Sequence, residues 1–566
     1  MASRPPRGKE PESVPETSKK TFNLLHDPWI PVRRRSSQTD WIAPHQIAER
    51  EDPPVEISSL RPDFDGALWQ FLIGLLQTIL VPEDEDTWRE WYEKPPAPEQ
   101  LREAFSPHVE AFWLDGPGPR YMQEMGLKQT KKDDIIPIRE ILATSLASEL
   151  FSKPEAISRI GQRAVAMALT TVQMYAWGAG RGHRTCLRGA GALTSLVHCR
   201  GESLFRNLWL NVLSREDWSL VPGDHKKPVA SAFPWMDPPR KVEKGELRTP
   251  RDRNPAEHFW AMPHRYWIQF SSTGHCDLVG VQESSTSTEV LRRPDGLNYE
   301  GAWMHPLSPH RRDHKDGTLS PARVSDQRIP YKEWPGMILG QREGDTPTTI
   351  PAATVQIYRL HGRGQVVKKA SGGPVGLRLL GYQMPPGQAK VFGWLEQETP
   401  LFSENEDEAR ALAPLVACLV EAAEAVRLSL FRCCKEALKR RAEDIDFKAS
   451  ILQGVSRSFW SSSEPAFLDH SERLRHALKA TTAVEIDKVK LSWLQALRPV
   501  AMKIFAEVSQ EAAQFGATDI ARVARAHNKL LRETGPHLPS LQEAVGLPVA
   551  ARSSSKKAPK KQGGSS

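Results

Sequence analysis

Ala411 to Leu430 reads ALAPLVACLVEAAEAVRLSL, and here the chain changes character. Leu412, Val416, Leu419, Ala423, Val426 and Leu430 recur at spacings of three and four, the apolar stripe of a helix with one buried face. From about Glu404 onward prolines thin out and alanine and leucine become frequent. Similar stripes run through Leu491–Val508 and Ile520–Leu531. Pro499 is expected to bend or break the first of these, because proline lacks the N–H that a helix interior uses. About four such helices in succession predict an antiparallel bundle over 403–545. A stripe of this kind is core, and no cofactor is needed to explain it.

Upstream the pattern is different, and the whole chain reads as α+β. Phe22 to Val32 is a short strand-like run broken by proline. A helix follows, with Phe64, Ala67, Leu68, Phe71, Leu72, Leu75, Leu76 and Ile79 on one face. Asp63 is placed to cap it after Arg61-Pro62. From about Phe205 to Phe402, strand-like runs such as Tyr266–Phe270 and Thr354–Tyr358 sit among many Pro and Gly turns. A hairpin is expected from Val375–Tyr382 and Lys390–Leu395, with Gln383–Ala389 as its turn-rich tip. A large mixed domain with loop-rich sheets is therefore expected over 21–402, ahead of the bundle. Residues 1–20 and the basic 546–566 read as disordered tails, from their Pro, Ser, Lys and Gly content.

Composition narrows the partners. The 566 residues are enough for two to four domains, and 39% hydrophobic content supplies real cores. The net charge of +7 is carried by the ends: Ala551–Ser566 holds five basic residues and no acid, and the first twenty residues add two more positive charges. The body is close to neutral, so a nucleic-acid surface has to be a local patch. The six cysteines include no C-x-x-C pair, which argues against zinc, and so sparse a set fits a reducing cytoplasm. Neither a signal sequence nor an apolar run long enough for a membrane span is found.

The strongest local patch is Trp177–Gly191, WGAGRGHRTCLRGAG, with five glycines, three arginines and a histidine. No Asp or Glu occurs from Ala156 to Gly201, while Arg159, Arg163, Arg181, Arg184, Arg188 and Arg200 do. Glycine admits a backbone close to a partner, and arginine offers phosphate a planar fork of donors. A solvated connector has the same composition. A P-loop is excluded, because no Gly-Lys-Ser or Gly-Lys-Thr is present.

Several blocks in one order resemble the CasA family, the large subunit of the type I-E CRISPR Cascade surveillance complex. They are Asn23–Arg33 (NLLHDPWIPVR), Trp177–Gly182 with Leu187-Arg188-Gly189-Ala190-Gly191, Leu210–Leu213 (LNVL), Trp303–Pro309 (WMHPLSP), and Gly381-Tyr382 with Gln388-Ala389. The resemblance runs from Phe22 to about Thr534. It implies a subunit that is not an enzyme. Such a subunit holds the 5′ handle of a CRISPR RNA, sits with the other Cascade subunits, and finds the PAM in double-stranded DNA. It then promotes strand separation and R-loop formation and recruits a helicase-nuclease, while guide pairing reads the sequence.

Residue by residue, the resemblance makes Gly178, Ala179, Gly180, Arg181 and Gly182 a loop entering the minor groove, where small residues let the backbone reach base edges. Gly387, Gln388 and Ala389 become a wedge below the last PAM pair. A basic finger in the minor groove falls on Arg292 or Arg293, arginine standing where the family pattern has lysine. Phe151, Ser152 and Lys153 match the segment at the RNA handle. Arg311, Arg312 and Lys315 form a basic turn that could guide the displaced strand. No cofactor is implied. Some relatives carry a cysteine cluster before the finger and this chain keeps only Cys276, so no metal is expected. Two other readings compete. His305, His310 and His314 with Asp313 and Asp316 could suggest a metal-dependent nuclease, although no complete nuclease motif appears. A purely structural RNA-binding scaffold is the other.

Overall fold

The computed structural model describes residues 20–142, 151, 156–176, 182–238, 246–271, 273–370, 372–384, 391–438, 445–480, 483–514 and 518–548. The chain is α+β, and it divides into two compact units. The first contains residues up to Ile329 and Gly336–Glu406; the second contains Pro330–Pro335 and Asp407 onward.

The first unit opens with a three-stranded antiparallel sheet of β1 (Ile30–Arg34), β2 (Thr39–Ile42) and β3 (Pro54–Ile57), with β1 in the middle. Helix α1 (Pro62–Ile79) follows. Its Phe71 is fully buried and meets Trp29, Phe112, Tyr121 and Trp260 edge-on at 5.0–6.3 Å between ring centroids. Burying one such ring contributes about 2–3 kcal/mol. The start of α1 differs from the expectation. Arg61 holds the N-cap position, Pro62 is the first helical residue, and Asp63 lies inside the first turn. Pro62 explains the shift, since its fixed φ and missing N–H suit that first position. Asp63 instead accepts from Arg61 Nε and Nη2 at 3.0 and 2.6 Å and from the Tyr382 hydroxyl, in a fully enclosed group.

Next come β4 (Ile135–Pro137), helix α2 (Gln162–Met174) and β5 (Thr194–Cys199). Strands β6 (Arg265–Ile268) and β7 (Glu289–Arg293) form an antiparallel sheet with β4, in which β7 is central. A four-stranded sheet follows, from β8 (His310–Arg312), β9 (Leu319–Pro321), β10 (Gln341–Glu343) and β11 (Thr346–Ile350). The run at Thr354–Tyr358 is not a strand. It forms helix α3 (Ala353–Leu360), with Thr354, Val355, Ile357, Tyr358 and Arg359 buried. Four β-branched and aromatic residues in a run of five are too few to separate a strand from a helix buried on a broad face, and packing decided it. The expected hairpin is present as β12 (Val375–Gln383) and β13 (Gly393–Pro400), paired from Gly376↔Pro400 to Gln383↔Gly393. Its second strand starts later and runs longer than expected. On its other edge β12 pairs with β5.

The second unit is helical: α4 (Glu406–Ala437), α5 (Ile445–Lys479), α6 (Ala483–Gln514) and α7 (Ile520–Glu533). Leu412, Val416, Leu419, Ala423, Val426 and Leu430 are all buried, and Trp493 donates its indole N–H to the Leu419 carbonyl at 2.9 Å. Pro499 does not break α6, which runs through it. Trp493, Leu494, Leu497, Ala501, Ile504 and Phe505 are buried on both sides of the proline, so the face it interrupts is held by packing. Tyr331, from the short segment shared with this unit, stacks on Phe467 at 4.1 Å and meets Trp460 edge-on. Among the described residues, no helix is long and apolar enough to cross a membrane.

Candidate nucleic-acid interface

The glycine-rich window can be built from its anchors. Helix α2 ends at Met174, and the Ala176 carbonyl accepts the Cys186 N–H at 2.8 Å. The segment between them therefore leaves and returns at one closed neck. Gly178, Ala179, Gly180 and Arg181 lie outside the described residues; Gly182 lies within them. Gly182 has φ of +84°, and a Cβ there would stand 2.8 Å from Pro294 Cβ. Its carbonyl accepts the Asp295 N–H at 2.7 Å. The returning end of the glycine loop is thus bonded to the turn that follows Arg292 and Arg293.

Those two arginines have different surroundings. Arg293 donates to Thr130 Oγ1 at 2.5 Å and to the Lys128 carbonyl at 3.2 Å, and stands 3.6 Å from the Asp134 carboxylate. Arg292 faces Tyr266 across the β6–β7 pair and adjoins His183 and His264. His264 Nε2 donates to the Arg184 carbonyl at 2.9 Å, which leaves Nδ1 to accept from the Tyr266 hydroxyl at 3.0 Å. Burial holds His264 down at about 4, and burial followed by the charge of Arg292 lowers His183. Two neutral imidazoles and a phenol therefore surround Arg292, and its charge is not cancelled by them.

Most of the window's arginines are used internally. Arg188 is buried and donates to Gln70 Oε1 at 2.6 Å, Thr194 Oγ1 at 2.9 Å and Ser308 Oγ at 3.2 Å. Arg163 lies over the Trp41 ring and near Glu283, Arg159 bonds Thr286, and Arg200 bonds Glu398. Carboxylates distant in sequence thus answer part of the charge that the acid-free window seemed to leave open.

Gly387, Gln388 and Ala389 lie outside the described residues, and the root of their hairpin lies within them. The Phe392 N–H donates to the Gln383 carbonyl at 2.9 Å, and the Met384 N–H to that of Val324 at 2.9 Å. Of the segment matched to the RNA handle, Ser152 and Lys153 are likewise outside, and the Phe151 ring lies 5.3 Å from the Arg61 guanidinium. Arg311 and Arg312 end strand β8, and Lys315 is exposed on the turn to β9. Arg312 donates to the carbonyls of Pro347 and Gly317 at 2.9 and 2.8 Å.

The histidines divide into a buried pair, His305 and His310, and the exposed His314. His305 and His310 are buried beside His258, and burial drives all three far down, His310 to about 4 and His258 to about 3. His314 is exposed, and Asp313 and Asp316 accept from the turn's own backbone at Lys315 and Thr318. Among the described residues, the group able to offer three ligand atoms to a metal is Glu85, Asp217 and His361, which no motif announced. Arg363 already supplies the cation there, with Nη2 2.8 Å from Glu85. Cys276 is buried with a free thiol.

The fold is shared by CRISPR-associated proteins of known structure. CasA of Thermus thermophilus is 18% identical, with a TM-score of 0.66 over 91% of this chain and 99% of that one. Cse1 of Acidimicrobium ferrooxidans is 14% identical, with a TM-score of 0.65 over 94% and 99%. A chain of a solved CRISPR RNA-guided surveillance complex is 16% identical, with a TM-score of 0.66 over 91% and 99%. No curated protein matches the sequence. Residues 23–504 match the pattern of the family described as CRISPR-associated protein Cse1, and the chain belongs to that family, the CasA proteins of type I-E Cascade.

Proposed function

We propose that this chain is the non-catalytic large subunit of a CRISPR RNA-guided surveillance complex that reads the PAM through the minor groove and starts strand separation. In this reading Gly178–Gly182 bring backbone groups to base edges, Gln388 replaces the stacking below the last PAM pair, and the opened complex recruits a helicase-nuclease. Phe151, Ser152 and Lys153 meet the RNA handle, and the other Cascade subunits hold the chain in place. Arg311, Arg312 and Lys315 guide the displaced strand. Opening a step costs on the order of a few kcal/mol, which guide pairing downstream offsets.

One observation carries most of the reading: the hydrogen bond from Asp295 N–H to the Gly182 carbonyl. It ties the glycine loop to the strand bearing the basic finger, so a groove that receives one meets the other. The same geometry favours Arg292 as the finger, since Arg293 is committed to the 128–134 segment.

The test uses the assembled complex and a PAM-bearing duplex. Gly180→Asp and Gln388→Ala are expected to lower target binding and R-loop formation at least tenfold. Arg292→Ala is expected to weaken binding more than Arg293→Ala does in folded protein. Unchanged R-loop formation with Gly180→Asp and Gln388→Ala rules the reading out.

A further inference from the structure

We infer that Arg323 is a contact for the DNA phosphate backbone at the common root of the glycine loop and the hairpin, an inference that rests on the reading of those two segments given above. Ala322, Arg323 and Val324 form an extended run stitched to both. On one side the Leu193 N–H donates to the Ala322 carbonyl at 2.8 Å and the Val324 N–H to that of Gly191 at 2.9 Å. Ala192 and Arg323 face each other there as an antiparallel bridge. On the other side the Met384 N–H donates to the Val324 carbonyl at 2.9 Å. The first neighbour closes the glycine-rich window; the second leads to Gly387–Ala389.

Extended backbone alternates its side chains. Ala322 and Val324 are buried, and Arg323 between them is exposed. Its Nη2 lies 3.6 Å from where a Cβ on Gly189 would stand, so the guanidinium reaches over the Leu187–Gly191 turn. Gly189 has φ of +77° and carries no side chain to displace it. No carboxylate pairs with Arg323 among the described residues. Arg188, Arg200, Arg293 and Arg312 contrast with it, each being bonded within the protein. An exposed planar fork with no carboxylate partner among the described residues matches phosphate bidentately. Where loop and hairpin tips meet bases, residues at their roots meet the backbone, which holds register without reading sequence.

The experiment compares the assembled complex carrying Arg323→Gln, Arg323→Lys or Gly180→Asp, on duplexes with and without a PAM, over a salt series. Arg323→Gln is expected to lower affinity for both duplexes by a similar factor, about three- to tenfold. Its plot of log affinity against log salt should be shallower by about one, and Arg323→Lys should keep most of the affinity. Unchanged affinity and slope overturn the inference. A loss confined to the PAM duplex also overturns it, because the contact would then read bases. Retention of the subunit on the guide-RNA complex is measured without DNA. Loss of the Arg323→Gln subunit there assigns the side chain to RNA or a protein neighbour, and the inference falls. If Gly180→Asp abolishes PAM preference while Arg323→Gln does nothing, only the inference fails. If neither has an effect, the reading of the glycine loop fails with it.

Discussion

His258, His264 and His310 sit in surroundings that keep them neutral, with pKa values near 3, 4 and 4 in the folded chain. In the unfolded chain each takes up a proton near pH 6.5. The unfolded state therefore binds more protons over the window from about pH 6.5 down to about 4, and stability falls through it as acid is added. Asp65 works in the opposite direction. Burial holds its carboxyl up to about 7, so it is protonated in the fold where the unfolded chain is ionised, and it adds stability as pH falls from about 7 to 3.8. Three groups outweigh one. Denaturant titrations at pH 7 and pH 4.5 are expected to give a lower midpoint at 4.5, and equal midpoints would contradict this balance. The arginines teach the same lesson about reading residues. Gly182, Gly189 and Gly191 are legible because each takes a positive φ that a side chain opposes. Arg188 is not, because Gln70, Thr194 and Ser308 become its partners only when distant segments meet.

Periodicity carries the long elements well. The stripe in α4 and the apolar face of α1 needed only spacing, and the β12–β13 hairpin needed only a turn-rich segment between two apolar runs. Short elements carry too little information, and α3 shows why: its five-residue core satisfies strand and helix patterns alike, and its burial within the first unit settles the matter. Pro499 marks a different limit. Local chemistry argues for a bend or a break, and the helix continues through Pro499 with six apolar side chains buried around it. Because Pro499 is exposed, Pro499→Ala removes no core contact and returns an N–H to the helix. An interior proline costs ~3 kcal/mol, partly offset by its stiffening of the unfolded chain. The substitution is expected to stabilise the protein by about 1–2 kcal/mol, seen as a higher melting temperature; a lower one would mean that packing uses the bend.

The division of the whole molecule does not follow the order of the chain. The helical unit is completed by Pro330–Pro335, whose Tyr331 fills the space between Trp460, Phe467 and Trp493 and shares a hydrogen bond with Ser463 at 3.0 Å. Sequence shows the change of composition near Glu404 but not this loan, since six residues among turns have no periodicity to reveal it. A fragment of residues 407–548 is expected to lose roughly 3 kcal/mol, the cost of emptying a buried aromatic site. Fusing Pro330–Pro335 to its N-terminus through a flexible linker should restore the melting temperature. Equal melting with and without that segment would show that Tyr331 is dispensable.

The loan has a consequence for heredity as well as for folding. The chain crosses between its two units three times, at 329/330, 335/336 and 406/407. A single crossover in the coding sequence near codon 406 exchanges the long helices but leaves the tyrosine that seats among them behind in the parent. Recombinants between divergent members of this family should therefore survive best when both stretches are inherited together.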